Sequence, residues 1–193
     1  MRVIVTTSDK YIHALRPFAY LFNKYWGIDT EVIVGGFNPP DFDLPGNFKF
    51  YSIGKQSDYP VDKWSNGLIK LLKDIDDEVL CLMLEDYWLS RPVNRHAIMM
   101  LHDYMHQFKN VIKIDLGTDR LYAGGMTDYN NCGYIDLIHS DPGSQYHMSL
   151  MAGLWRRDLL LRFLIPNESP WQVELEGTPR LRNAAGEVMV LGT

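Results

Sequence analysis

The stretch Asp77-Glu78-Val79-Leu80-Cys81-Leu82-Met83-Leu84-Glu85-Asp86-Tyr87-Trp88 decides how the rest of the chain is read. An unbroken apolar run bounded by charge on both sides is the pattern of a strand buried on both faces of a parallel sheet. Ligands of open α/β sheets bind outside the carboxyl ends of such strands. Glu85 and Asp86 stand at that end, where hard oxygen donors suit a divalent cation carrying phosphates. The same pair would also serve merely to end the strand and cap the turn after it. The residues leave both readings open.

Working outward, Val3 to Thr6 is a short β-branched strand. Asp9 is placed to cap a helix in which Tyr11, Leu15, Phe18, Leu21, Phe22 and Tyr25 recur at helical spacing up to Gly27, with a kink or restart at Pro17. Glu31 to Val34 is the next strand, closed by Gly35-Gly36, and Phe48 to Ile53 is a third. A polar loop from Gly54 to Asp62 then leads into a helix holding Leu68, Ile69, Leu71 and Leu72. This βαβ opening predicts a single α/β domain over 1–193, with a mostly parallel central sheet flanked by helices.

Beyond Trp88, Pro92 or Asn94 opens a helix over Arg95 to Phe108, and Val111 to Leu116 reads as a strand. Gly117 to Gly133, rich in Gly, Asp and Asn, predicts an extended loop. A strand near Tyr134 to Ile138, a turn at Asp141-Pro142-Gly143, and a strand end followed by a helix within Ser149 to Leu164 come next. Trp171 to Glu176 reads as a short helix. Glu187 to Thr193 looks like a strand barely begun, so a truncated C-terminus is expected.

With 46% hydrophobic and 22% charged residues, the chain has the composition of a globular domain rather than a disordered one. Its 19 basic and 24 acidic residues give a net charge of -5 and form no basic run, which argues against a nucleic-acid polymer as partner. The two cysteines, Cys81 and Cys132, have no metal-ligand spacing and imply no disulfide framework. The chain begins at once with a strand, so no signal peptide is expected, and no apolar run approaches the roughly 20 residues that span a bilayer. A cytoplasmic protein is the expectation.

Four segments fall at loop ends on one edge of the predicted sheet. Thr6-Thr7-Ser8-Asp9 offers hydroxyls and a carboxylate to a nucleobase and ribose. Asp62-Lys63-Trp64-Ser65-Asn66-Gly67 opens a helix whose free N–H groups favour an anion. Glu85-Asp86 is the third. Asn167-Glu168-Ser169-Pro170-Trp171-Gln172-Val173-Glu174 sets an aromatic ring between carboxylates, either of which would serve as a general base if its pKa lay near the working pH, or as a solvated helix-start acid.

Other residues give weaker signals. His102 and His106 stand four apart on a helix, within reach of one metal ion, although Met99, Met100 and Met105 suggest ordinary packing around them. Asp115 ends a strand, where it would line a sugar pocket or cap a turn. His147 would approach a diphosphate from the far side, and Arg156-Arg157 would pair with phosphate or face solvent.

Tyr11, His13 and Pro17, then Trp64-Ser65 with Leu68, then Leu84-Glu85-Asp86-Tyr87-Trp88, and finally Trp155 with Trp171-Gln172-Val173-Glu174 together resemble bacterial and viral glycosyltransferases of capsule or lipopolysaccharide type. The resemblance runs from Thr6 to about Gly177 as a loose pattern, and it implies the GT-A fold. It also implies a nucleotide-sugar donor, a glycan or glycolipid acceptor and a divalent metal, Mn2+ or Mg2+, with at most peripheral contact with the inner membrane. The family commonly carries Asp-x-Asp after the central strand, and Glu85-Asp86 departs from that form. By resemblance Asp86 is the metal ligand, with Glu85 as its support. Thr6, Thr7, Asp9, Trp64 and Asn66 border the donor. Glu174 is the acceptor-side base, with Glu168 in reserve. A nucleotidyltransferase is the alternative, although Thr6 to Tyr11 lacks glycine and has only Lys10 to meet a triphosphate. A non-catalytic carbohydrate-binding or assembly module with the same fold is the third reading.

Overall fold

In the computed structural model, which describes residues 1–117 and 126–193, the apolar run of the acidic segment is β4 (Val79–Leu84), buried along almost its whole length. Its alternating side chains serve two cores. Cys81 and Met83 face one cluster and Leu80 and Leu82 the other. Each fully buried large aliphatic contributes about 1.5–3 kcal/mol, so a strand apolar on both faces is fixed from both sides.

β1 (Val3–Thr6), β2 (Val32–Gly36) and β3 (Phe48–Ser52) complete a parallel unit in the order β3-β2-β1-β4. The helix α1 (Leu15–Tyr25) carries the chain from β1 outward to β2. α2 (Trp64–Asp74) returns it from β3, past β1, to β4. The strand order therefore reverses between β1 and β4, which makes a topological switch point.

Next to β4 lies β8 (Gly153–Arg156), antiparallel to it and to β5 (Val111–Asp115). The sheet continues through β9 (Met189–Gly192), parallel to β5, and ends in β7 (Ile135–Ser140) and β6 (Met126–Cys132), an antiparallel hairpin. Only β7 and β8 run against the rest among the described residues.

α1 and α3 (Arg95–Gln107) pack on one face through Phe18, Phe22, Leu101 and Met105. On the other face α2, α4 (Arg157–Phe163) and α5 (Pro170–Asn183) pack through Leu71, Leu160 and Val173. This is the α/β domain expected from the sequence. No helix among the described residues is long and apolar enough to cross a membrane.

Several local expectations change. Asp9 caps no helix: a 3-10 turn, Ile12–Ala14, precedes α1, and Pro17 falls in the first turn of α1, where its missing N–H costs nothing. Gly35 and Gly36 are strand residues, not a closing turn. A Cβ on Gly35 would lie 2.3 Å from Leu71, so glycine lets α2 seat on the sheet. Within the supposed loop after Gly117, residues 118–125 lie outside the described residues. Met126–Cys132 is instead an edge strand, held by backbone pairing that polar side chains do not prevent.

The supposed short helix at Trp171 runs on to Asn183. Ser169 and Gln172 form a capping box at its start, and Gly177 and Pro179 fail to end it. Gly177 is needed for contact, since a Cβ there would lie 2.6 Å from Cγ of Met148. The C-terminal segment is a full strand seated between β5 and β7.

Candidate active site at the carboxyl edge

The register decides the site. Thr6 is level with Leu84, so Thr7 and Glu85 leave the sheet side by side at the switch point. α1, α2, α3 and α5 each lead into a strand of the common direction, so their N-termini share this edge. All four segments singled out in the sequence are therefore brought to one edge.

Thr6 and Thr7 are buried, and the Thr7 N–H donates to the Gly35 carbonyl at 2.9 Å. The Asp9 carboxylate accepts from the Asn38 N–H at 3.0 Å and from Asn38 Nδ2 at 2.7 Å. The Asp9 N–H donates to Gln56 Oε1 at 3.1 Å. Asp9 thus ties three loops together beside the switch point.

After β4 the chain turns tightly. The Tyr87 N–H donates to the Leu84 carbonyl at 3.2 Å and the Trp88 N–H to that of Asp86 at 3.0 Å. The Trp88 indole Nε1 folds back onto the Glu85 carbonyl at 3.1 Å, leaving half of its ring surface open to solvent. Asp86 is exposed and Glu85 half-buried. Burial pushes the Glu85 carboxyl up to about 7, against its own backbone N–H and helped by the neighbouring Asp86 charge. Among the described residues no cationic side chain pairs with either carboxylate. A cleft of about 330 Å³ opens alongside, lined by Trp88, Arg91, Asn94, Leu116, Ile135 and Thr193.

No three His, Cys, Asp or Glu side chains converge as a metal cage among the described residues. A cation at Glu85-Asp86 would take its other ligands from phosphate oxygens and water, the usual manner for Mg2+. The all-oxygen donors and the missing counter-charge fit that role.

Farther along the edge the carboxylates are engaged. Asn66 Nδ2 donates to Asn167 Oδ1 at 3.1 Å, and the Asn167 N–H donates to Asn66 Oδ1 at 2.7 Å. Ser65 and Glu168 exchange a second pair of bonds, at 2.9 and 3.0 Å. These contacts clip the start of α2 to the start of α5, with Trp64 half-buried beside them. Both Glu168 oxygens are held by Arg180, at 2.7 and 2.9 Å, so Glu168 positions α5. Glu174 Oε1 accepts from the Leu150 N–H at 2.6 Å, which anchors it to the loop entering β8, between β4 and β5.

One element escaped the sequence reading. Lys113 is fully buried, paired with Asp115, and donates to the Ser149 carbonyl at 2.7 Å while lying 5.0 Å from the Trp155 ring centroid. The signal was present: Lys113 and Asp115 are two apart on a strand and so share a face. Gly153 makes room for the pair, since a Cβ there would lie 2.7 Å from Cε of Lys113. Arg156 and Arg157 lie at the opposite, amino edge, Arg156 level with Val79, so neither is placed beside the switch point. His147 is buried, 3.1 Å from Ser140 Oγ.

No family model and no curated protein matches the sequence. Solved structures do. A CMP:2-keto-3-deoxy-manno-octonic acid synthetase complexed with CTP matches at 11% identity, over 100% of this chain and 88% of that one, with a TM-score of 0.51. A cytidylyltransferase from Leptospira borgpetersenii matches at 7% identity, over 100% and 74%, with a TM-score of 0.54. S. aureus TarS 1-349 in complex with UDP matches at 14% identity, over 100% and 60%, with a TM-score of 0.54. The likeness is one of fold.

Proposed function

We propose that the protein is a nucleotide-sugar-dependent glycosyltransferase acting on a hydroxyl of a glycan or glycolipid. The observation that carries this reading is the Glu85-Asp86 pair. It stands beside Thr7 at the switch point of the sheet, without a counter-cation among the described residues, next to a cleft walled in part by Trp88. Thr6, Thr7 and Asp9 border the nucleoside, with Trp64 and Asn66 farther along the same edge. Asp86 binds Mn2+ or Mg2+ and Glu85 supports it; when bound, the cation neutralises the leaving nucleotide diphosphate. The Trp88 face stacks a sugar ring in the adjoining cleft. Glu174, with one oxygen on the Leu150 N–H, takes the acceptor proton in an inverting displacement.

The likeness in fold to a CTP-bound synthetase and to a cytidylyltransferase supports a second reading, nucleotidyl transfer. Against it, the β1–α1 connection has no glycine and a single lysine, Lys10, with which to meet a triphosphate.

Thermal shift with UDP-, GDP-, CMP- and dTDP-sugars, each with and without manganese, tests the proposal. A shift that needs manganese and one nucleotide-sugar, and is lost in Asp86→Ala, is expected. Pyrophosphate release from CTP and a sugar would favour the second reading. A folded protein that no nucleotide-sugar shifts overturns the first.

A further inference from the structure

His102 and His106 lie outside the site just described, on the last two turns of α3, with Nε2 of one 3.3 Å from Nε2 of the other. Their other ring nitrogens face carboxylates: His106 Nδ1 is 3.1 Å from Glu78 Oε2, and His102 Nδ1 is 3.4 Å from Asp103 Oδ1. An ionised carboxylate only accepts, and Lys109 and Arg156 hold Glu78 ionised, its pKa lowered to about 2. With each Nδ1 turned toward a carboxylate, the two Nε2 atoms face each other.

A metal ion satisfies the same geometry. Two imidazole nitrogens bound to one tetrahedral ion at about 2.0–2.1 Å lie about 3.3–3.4 Å apart. Metal-bound histidines characteristically donate their second N–H to a carboxylate, which fixes tautomer and ring orientation. Here both do.

We propose that His102 and His106 form a two-histidine site for a borderline divalent metal ion of the Zn2+ type, with Glu78 and Asp103 orienting the rings and water completing the coordination sphere. The site joins the end of α3 to the start of β4 and is chemically distinct from the oxygen-only pair at Glu85-Asp86.

Titration calorimetry of the full chain with zinc chloride, in the absence of nucleotide, tests this. One ion per chain is expected to bind the wild type. Binding is lost in His102→Ala and His106→Ala, retained in Asp86→Ala, and weakened about tenfold to a hundredfold in Asp103→Asn. His106 is half-exposed, so His106→Gln serves if the alanine variant fails to fold. A folded wild type that takes up no zinc overturns the proposal, as does zinc binding that neither histidine substitution changes. Nitrogen NMR showing one imidazolium shared by the pair, undisturbed by zinc, also overturns it.

Discussion

The two ends of β4 carry acidic residues but treat them oppositely. At the amino end Asp76, Asp77 and Glu78 are each matched to a cation. Arg2 pairs with Asp76 and Asp77, and Glu78 accepts from Lys109 at 2.5 Å and from Arg156 at 2.6 Å. Arg157 closes the same edge on the Ile75 carbonyl. At the carboxyl end Glu85 and Asp86 have no such partner among the described residues, although they flank the same strand as Glu78, seven and eight residues on. Two carboxylates side by side without a cation give nothing to stability. The contrast separates residues that hold the fold from residues kept ready for a ligand, and it is the sharpest support for a site at this edge.

The largest expected effect strikes the buried pair that supports the carboxyl edge. Lys113→Met removes the ammonium paired with Asp115 in the core, and breaking a buried ion pair from one side costs about 3–5 kcal/mol. Urea unfolding of Lys113→Met beside Lys113→Met/Asp115→Asn should show most of that loss recovered in the double variant. If the double variant is no better than the single, the Asp115 charge is not what the lysine neutralises.

Next comes a direct comparison across the sheet. Arg156 is almost wholly buried and also donates to the Met105 carbonyl. Arg156→Ala is expected to lower stability by about 3 kcal/mol. Asp86→Ala, at an exposed position, should change it by no more than about 0.5 kcal/mol while abolishing the manganese-dependent nucleotide-sugar shift. Equal destabilisation by both substitutions would erase the distinction between the edges.

Glu168 and Glu174 sharpen the comparison within the carboxyl edge. Glu168→Gln loosens the Arg180 clamp and should cost about 1–3 kcal/mol of stability, with no separate effect on turnover by the folded fraction. Glu174→Gln should instead reduce turnover by about a hundredfold or more, as expected for loss of a general base. A reversed outcome would exchange the roles of the two residues.

What could be read in the sequence followed from local pattern. The apolar run of β4 announces its double burial, and its acidic end announces the edge on which ligands bind. The helical spacing from Leu15 to Tyr25 likewise needs no tertiary information. The missed features depend on partners distant in sequence. The hairpin strand β6 is polar because an edge strand is held by its backbone. The short helix read over Trp171 to Glu176 stops before Gly177, whose missing Cβ makes room for Met148. Arg156 and Arg157 read as phosphate ligands or solvent-facing residues because the direction of β8, which carries them to the far edge, is a property of the sheet. The pairing of Glu168 with Arg180 also depends on a turn of helix that the short reading of α5 left out.

The smallest expected effect is in acid. Glu78 has an ordinary pKa of 4.5 in the unfolded chain, and Lys109 and Arg156 lower it to about 2 in the fold. A carboxylate depressed on folding contributes stability that is fully present above its unfolded pKa and lost as pH falls through its folded one. The Glu78 contribution should therefore hold down to about pH 4.5 and fade between there and pH 2, by a modest amount because the side chain is half-exposed. Glu85 shifts the opposite way, so it acts in a different window: its protonated form favours the fold below about pH 4.5, and that contribution is lost as pH rises to about 7. Melting curves of wild type and Glu78→Gln across that window should converge as pH drops, since protonation removes the charge that the substitution has already removed. If the gap between them stays constant to pH 2, Glu78 acts through packing or hydrogen bonding rather than charge, and the ionic matching assigned to the amino edge fails at its central residue.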